Sequence, residues 1–171
     1  MKQKLFLITL AVSLFALVSC KKGDDGPPGT ANVKFSEWFT PDVYKKDTTF
    51  GIYGFSYIKP AAGITQAVLD SGTVLVFGKL LGYNPLEWPT DQVGQLPITL
   101  TYVQGTTMTD TWSASEKAGN LKIRFVNDKN YYNSISNAHK FRYIIIPGGV
   151  STARMASYDY HDICKQYNIP E

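Results

Sequence analysis

The segment TVLVFGKLL, residues 73–81, is a nearly continuous apolar run that is too short to cross a membrane. An apolar run of this length, rich in β-branched residues, predicts a strand that is covered on both faces. The segment LKIRFV, residues 121–126, differs because its apolar residues alternate with Lys122 and Arg124. That alternation predicts a strand with one face toward a core and one toward solvent.

The segments around these two predict a chain of short strands. Further strands are expected where aromatic and β-branched residues concentrate, at residues 33–36, 49–58, 98–103, 108–113 and 140–146. Turn residues at 104–105, 117–120, 127–128 and 147–149 separate them. Within the segment 49–58, we expect Phe50 and Ile52 on one face and Tyr53, Phe55 and Tyr57 on the other.

Two short helices complete the predicted fold. Thr65 can cap a brief helix over residues 66–69, and Asp159 can cap a second over residues 160–167. The expected fold class is all-β, an antiparallel β-sandwich (Ig-like or jelly-roll-like) of about seven or eight strands with a short C-terminal helix. A partly open barrel is the alternative.

The N-terminus has the pattern of an export signal. Lys2 and Lys4 precede an apolar run over residues 5–18, which is the length of a signal-peptide core. The following LVSC, residues 17–20, resembles the bacterial lipobox, which implies cleavage before Cys20 and lipidation of its thiol. Acyl chains on Cys20 would then hold the chain to membrane lipid. The alternative is an ordinary secretory peptide with a chance cysteine.

The rest of the chain divides into a tether and one domain. Residues 20–31 carry glycines and prolines but no large apolar side chain, which predicts a flexible tether before a single domain over residues 32–171. Two of the 17 basic residues and none of the 14 acidic ones lie in the signal, residues 1–19, so the formal charge falls from +3 to +1 on cleavage. This near-neutral charge argues against nucleic acid as a partner.

The cysteine content limits how the domain is stabilised. Cys164 is the only cysteine besides Cys20, so no internal disulfide is expected and the fold must depend on its apolar core. We expect Cys164 to be a small buried residue rather than a nucleophile or an intermolecular bridge.

The order of motifs resembles a group of uncharacterised Bacteroidota envelope lipoproteins, often labelled collagen-like. These motifs are the lipobox and Gly/Pro leader, NVKFSEWF (32–39), ITQAVLDSGTVLVFGKL (64–80), QLP (95–97) and FRYIIIPGG (141–149) before the last helix. The resemblance implies a sandwich-like domain on the outer membrane and no catalytic residue. In that group, acidic residues after the cysteine can mark export, so Asp24 and Asp25 favour the cell surface over the periplasmic face.

No motif predicts a catalytic residue, a cofactor or a metal. Asp159, His161 and Asp162 are metal-ligand types, but capping and solvent exposure explain them, since His161 would point away from the two carboxylates on a helix. The other histidine, His139, is isolated in the sequence. Scattered carboxylates at 37, 70, 87, 91 and 110 leave glycoside hydrolysis open without selecting a pair.

Aromatic residues give the main indication of binding, with eleven Tyr and three Trp in the chain. The loop over residues 82–97 is expected to present Tyr83, Trp88, Asp91 and Gln92 to a ligand, and Tyr131-Tyr132 is a second candidate. The alternative is that Trp88 folds over the sheet edge as part of the core.

These patterns favour a non-enzymatic binding or structural module whose partner is a glycan or an envelope protein. The alternative is a glycan-active hydrolase or its accessory subunit.

Overall fold

A computed structural model describes residues 32–149 and 159–171 of the chain. Within those ranges lie nine strands and two helices, in this order: β1 (Lys34–Phe35), β2 (Lys45–Thr49), β3 (Ile52–Ala61), α1 (Gln66–Ser71), β4 (Thr73–Lys79), β5 (Gly94–Gln95), β6 (Ile98–Gln104), β7 (Thr106–Lys117), β8 (Gly119–Asn127), β9 (Lys140–Ile146) and α2 (Tyr160–Tyr167).

The strands form two antiparallel sheets. One has four strands in the order β1-β9-β4-β5, and the other has five in the order β2-β3-β8-β7-β6. The predicted all-β sandwich with a C-terminal helix is confirmed. The strand count exceeds the expected seven or eight because β2 and β5 were not predicted: β2 is the polar sequence KKDTT and β5 has only two residues.

The core lies between the two sheets, where apolar side chains from both interdigitate. It includes Phe55 of β3, Val76 of β4, Trp112 of β7 and Phe125 of β8, all at most 3% exposed. Burial of such side chains stabilises the fold by about 1.5–3 kcal/mol each.

Helix α2 covers the outer face of the four-stranded sheet. Leu75 and Phe77 of β4 pack there with Tyr160, Ile163 and Cys164 of the helix. Strand β4 is therefore buried on both faces, as its continuous apolar sequence predicted, and the domain has three layers.

Both predicted helix caps are present. The Thr65 side chain accepts a hydrogen bond from the Val68 N–H at 3.3 Å, and Asp159 accepts one from the His161 N–H at 2.9 Å. In the described ranges, neither helix has the length and apolar character needed to cross a bilayer.

The predicted start of the second strand is wrong. Phe50 was expected to share a strand face with Ile52, but it lies in the turn between β2 and β3 and is fully exposed. Phe50 and Gly51 have φ angles of 49° and 80°, as a two-residue hairpin loop requires when both of its central residues have positive φ. The Thr49–Ile52 pair closes this loop.

Candidate functional site

A cavity of about 710 Å³ opens at the end of the sandwich where the 81–87 loop, strand β6 and the segment after β8 meet. This volume lies in the range of small-molecule sites. Its aromatic lining residues are Tyr83, Tyr102, Trp112, Phe125 and Tyr132, and its polar ones are Asn84, Glu87, Thr101, Gln104, Thr107, Ser134, Ser136 and His139. We call it the tyrosine cavity after Tyr83, Tyr102 and Tyr132.

Asp110 lies behind the tyrosine hydroxyls and is fully buried. The alternation of β7 points Asp110 inward together with its strand neighbours Met108 and Trp112. Among the described residues, no ion pair includes its carboxylate. Burying a carboxylate costs several kcal/mol unless hydrogen bonds replace its water.

Four side chains provide those hydrogen bonds. Tyr83 donates to Asp110 Oδ2 at 2.9 Å; the hydroxyls of Tyr102 and Tyr132 lie 3.2 Å and 3.4 Å from the same oxygen, and whichever of the two does not donate to the other donates to it. Asn127, which pairs with Asp110 across β7 and β8, donates its amide to Oδ1 at 2.7 Å. Asn127 therefore holds one oxygen of the buried carboxylate, and phenols that also line the cavity hold the other.

The direction of two of these hydrogen bonds is fixed by their neighbours. The Trp112 indole, which can only donate, bonds the Tyr83 oxygen at 3.0 Å, so the Tyr83 hydrogen remains for Asp110. The Asn127 oxygen accepts from the backbone N–H groups of Lys129 and Tyr131, which turns its NH₂ toward Asp110. Tyr102 and Tyr132 lie 2.7 Å apart, oxygen to oxygen, and either can donate.

The phenols and the histidine of the site are uncharged near neutral pH. Burial is the main cause that raises the pKa values of Tyr83, Tyr102 and Tyr132 above their usual range. Burial also lowers the pKa of His139 to about 4. Its Nδ1 accepts from the Leu81 N–H at 3.1 Å, and its ring meets the Trp112 ring at 4.5 Å.

The structure brings together two residues that the sequence proposed from separate segments. Tyr83 of the 82–97 loop and Tyr132 both line the tyrosine cavity. Tyr131 lies beside it, exposed, and accepts a hydrogen bond from Gln104 at 2.8 Å. Asp91 and Gln92 are exposed but do not line this cavity.

The expectation that Trp88 presents its ring to a ligand is wrong. Trp88 is 7% exposed and belongs to the inter-sheet core. A turn in which the Glu87 and Trp88 N–H groups both bond the Asn84 carbonyl directs the side chain inward. The ring packs on Gly94, where an added Cβ would lie 2.5 Å from it. Trp88 instead takes the alternative position expected from the sequence, as part of the core.

Sequence reasoning did not select Tyr102, Asp110, Asn127 or His139 as site residues. A usable signal was present for three of them. Side chains alternate between the two faces of a strand. Tyr102, Asp110 and Asn127 each lie on the face that points to the core, where the other residues of the same strand are apolar. A polar residue on the core face of a strand needs a buried hydrogen-bond partner. The sequence pattern therefore predicts a buried polar cluster, although it does not show which residues pair.

Other candidate chemistry has a structural explanation. In the ranges 32–149 and 159–171, no three metal-ligating side chains cluster. His161 forms an ion pair with Glu171 at 2.8 Å, and that partner raises the pKa of His161. Cys164 is buried as predicted, and burial raises the pKa of its thiol, which lowers its reactivity.

The signal segment 1–19, Cys20 with its predicted lipid, and the tether up to residue 31 lie outside the described residues. The chain matches no family model, no curated protein and no solved structure.

Proposed function

We propose that this chain is a lipid-anchored envelope protein whose sandwich domain binds a glycan in the tyrosine cavity. The observation that carries this proposal is the convergence of three phenols on one buried carboxylate at the wall of a cavity of ligand size. A structural role alone gives no reason to bury a carboxylate whose hydrogen-bond donors also line a cavity.

The composition of the cavity wall supports a glycan. Aromatic faces pack against the C–H faces of sugar rings, and hydroxyl and amide groups bond sugar hydroxyls. The wall combines partly exposed aromatic rings, including Tyr83 and Tyr132, with the side chains of Asn84, Gln104 and Thr107. These rings keep their positions without a ligand because core residues hold them: Tyr132 meets the Phe125 ring at 5.4 Å, and Tyr83 accepts a hydrogen bond from the buried Trp112 at 3.0 Å.

The lipobox at residues 17–20 supports the anchor, and Asp24-Asp25 support display at the cell surface, with the periplasmic face as the alternative. An anchored domain meets its ligand at a high local concentration, so even weak affinity is useful. On this proposal membrane lipid and a glycan are the partners, no cofactor is needed and binding is not coupled to a reaction.

Glycan hydrolysis is less well supported, because it would require two opposed carboxylates at the substrate. Among the described residues that line the cavity, only Glu87 carries a carboxylate. Asp110 lies behind the phenols, and its oxygens already accept from Asn127, from Tyr83 and from the Tyr102–Tyr132 pair.

Calorimetric titration of the full-length protein in detergent against neutral and charged oligosaccharides tests the proposal. Ser134→Trp places a large ring at the cavity rim, and Thr90→Trp places the same ring at an exposed position outside the lining. We expect at least one oligosaccharide to bind the wild type and Thr90→Trp equally and Ser134→Trp at least tenfold more weakly. Binding that is equal in all three proteins would contradict the proposed site.

A further inference from the structure

We infer that the tyrosine cavity selects its ligand by charge and takes a glycan that carries a free amine, such as an unacetylated hexosamine oligomer. This inference rests on the proposed function, because it names the class of glycan for the same cavity.

The first step is the sign of the charges around the cavity. The described residues that line it include no Lys or Arg and one carboxylate, Glu87. Burial lowers the pKa of His139 to about 4, so that side chain adds no positive charge near neutral pH. The formal charge of the chain without residues 1–19 is only +1, so the negative character is local to the cavity.

The second step is the direction of the hydrogen bonds. Each phenol has one hydrogen, and the hydrogens of Tyr83, Tyr102 and Tyr132 are used within the cluster around Asp110. The remaining lone pairs on their oxygens are acceptors. An acceptor wall backed by a buried carboxylate favours a ligand group with several donors and a positive charge, which an ammonium provides and an acetamide does not.

The third step is the set of aromatic rings. The faces of Tyr and Trp rings attract cations, most strongly where water is excluded. Tyr83, Tyr102 and Tyr132 are partly exposed and are joined by hydrogen bonds to Asp110 or to one another, so they provide these rings in fixed positions. An anionic sugar would meet the same wall without a basic partner.

A smaller depression next to the cavity does not reverse this preference. It has a volume of about 320 Å³ and shares Ser134, Ile135 and Ser136 with the tyrosine cavity. Its one basic residue, Lys46, places its ammonium 3.8 Å from the centre of the Tyr53 ring, and Asp42 lies in the same lining.

Three tetrasaccharides test the inference by calorimetry on the full-length protein in detergent: a β-1,4-glucosamine oligomer, its fully N-acetylated counterpart and a galacturonic acid oligomer. At about pH 6 an amine of ordinary pKa is charged, whereas His139 is neutral. We expect the free-amine oligomer to bind about tenfold more tightly than the acetylated one, and the acidic oligomer to bind most weakly.

Two variants locate the source of the preference. Asp110→Asn keeps the shape of the side chain without its charge and should reduce the tenfold difference between the binding constants of the free-amine and acetylated oligomers to about threefold. Glu87→Gln changes an exposed residue, so the variant should fold as the wild type does. It should lower the preference for the free-amine oligomer over the acetylated one about threefold. Glu116→Gln removes an exposed charge outside the lining and should leave the preference unchanged.

The failures are distinguishable. If the acetylated oligomer binds as tightly as the amine or more tightly, the charge inference is overturned while glycan binding stands. A preference that survives both Asp110→Asn and Glu87→Gln also overturns it. If none of the three oligomers and no other glycan binds, the proposed function itself fails.

Discussion

Two buried charged groups, Asp110 and Arg142, lie in different layers of this domain and are satisfied in different ways. Asp110 is fully buried at the inter-sheet side and is bonded by side chains that line a cavity. Arg142 of β9 is 2% exposed on the other side of the four-stranded sheet, beneath α2. It donates to the Ser36 carbonyl at 2.8 Å, to the Tyr160 hydroxyl and to the Pro170 carbonyl.

The partners show what each charge does. The Arg142 partners belong to the chain after β1, to α2 and to the C-terminus, so one guanidinium joins three segments to the sheet. The central carbon of the Arg142 guanidinium, Cζ, also lies 4.9 Å from the centre of the Phe35 ring. The Asp110 partners hold cavity residues in place. Arg142 therefore joins elements of the fold, whereas Asp110 holds side chains of the cavity wall, which on the proposed function contact the ligand.

Arg142→Met should show the largest difference between an effect on stability and an effect on binding. It leaves three acceptors without their donor, so we expect the free energy of unfolding to fall by about 4 kcal/mol. Glycan affinity of the folded protein should not change, because Arg142 does not line the tyrosine cavity. Urea unfolding and calorimetry measure the two quantities. A loss below about 1 kcal/mol would contradict the joining role.

Trp88→Ala should also destabilise the fold without changing the affinity for a glycan. Removing a ring of this size from the core leaves a cavity and should cost about 3 kcal/mol. Glycan affinity should be unchanged, since Trp88 does not line the tyrosine cavity. Reduced affinity in a protein that remains folded would show that the binding surface extends along the loop beyond Tyr83. Trp88→Phe is the matched control for packing, because the Trp88 indole N–H has no hydrogen-bond partner among the described residues.

His139, on the cavity side of the domain, should make the free energy of unfolding decrease as the pH falls. Its pKa is about 4 in the folded chain and about 6.5 in the unfolded one, so the unfolded state takes up the proton first as the pH falls. Stability should therefore decrease from about pH 6.5 down to pH 4, with a loss of about 2 kcal/mol between pH 7 and pH 5. Unfolding of the wild type and of His139→Asn at both pH values checks this. Parallel pH dependence in the two proteins would exclude His139 as its source.

The smallest effect is expected at Arg124, a charged residue in neither buried region. It pairs with Asp47 at 2.7 Å on the outer face of the five-stranded sheet, and both side chains are partly exposed. Hydrogen bonding to Arg124 is the main cause that lowers the pKa of Asp47. Arg124→Met should cost about 1 kcal/mol or less, against about 4 for the same substitution at Arg142. Equal losses in urea unfolding would show that burial does not distinguish the two arginines.

The sequence predicted the fold better than the site, for a physical reason. Strands such as β8 and β9 are defined by local patterns, either the alternation of 121–126 or the aromatic and β-branched residues of 140–146, and the caps Thr65 and Asp159 are single residues. Phe50 was misplaced because a turn residue with positive φ has no distinct signal when it is aromatic.

The site depends instead on which strands become neighbours. Tyr102, Asp110 and Asn127 meet through the register of β6, β7 and β8, in which Asp110 pairs with Leu100 on one side and Asn127 on the other. That register is a long-range property of the sheet. Tyr83 was selected from its loop alone, whereas the sequence left Trp88 open between a ligand surface and a core lid, because the turn at 84–88 decides its direction.

The indole N–H signals of the three tryptophans test the central claim most directly. Trp112 donates to Tyr83 in the cavity wall, whereas Trp38 and Trp88 are placed elsewhere and have no indole hydrogen-bond partner among the described residues. In a ¹H–¹⁵N spectrum recorded during titration with the glucosamine tetrasaccharide, or with whichever oligosaccharide binds, the Trp112 signal should move with ligand concentration while the other two stay in place. Saturable binding that moves the Trp88 or Trp38 signal and leaves Trp112 unchanged would contradict the assignment of the tyrosine cavity as the binding site.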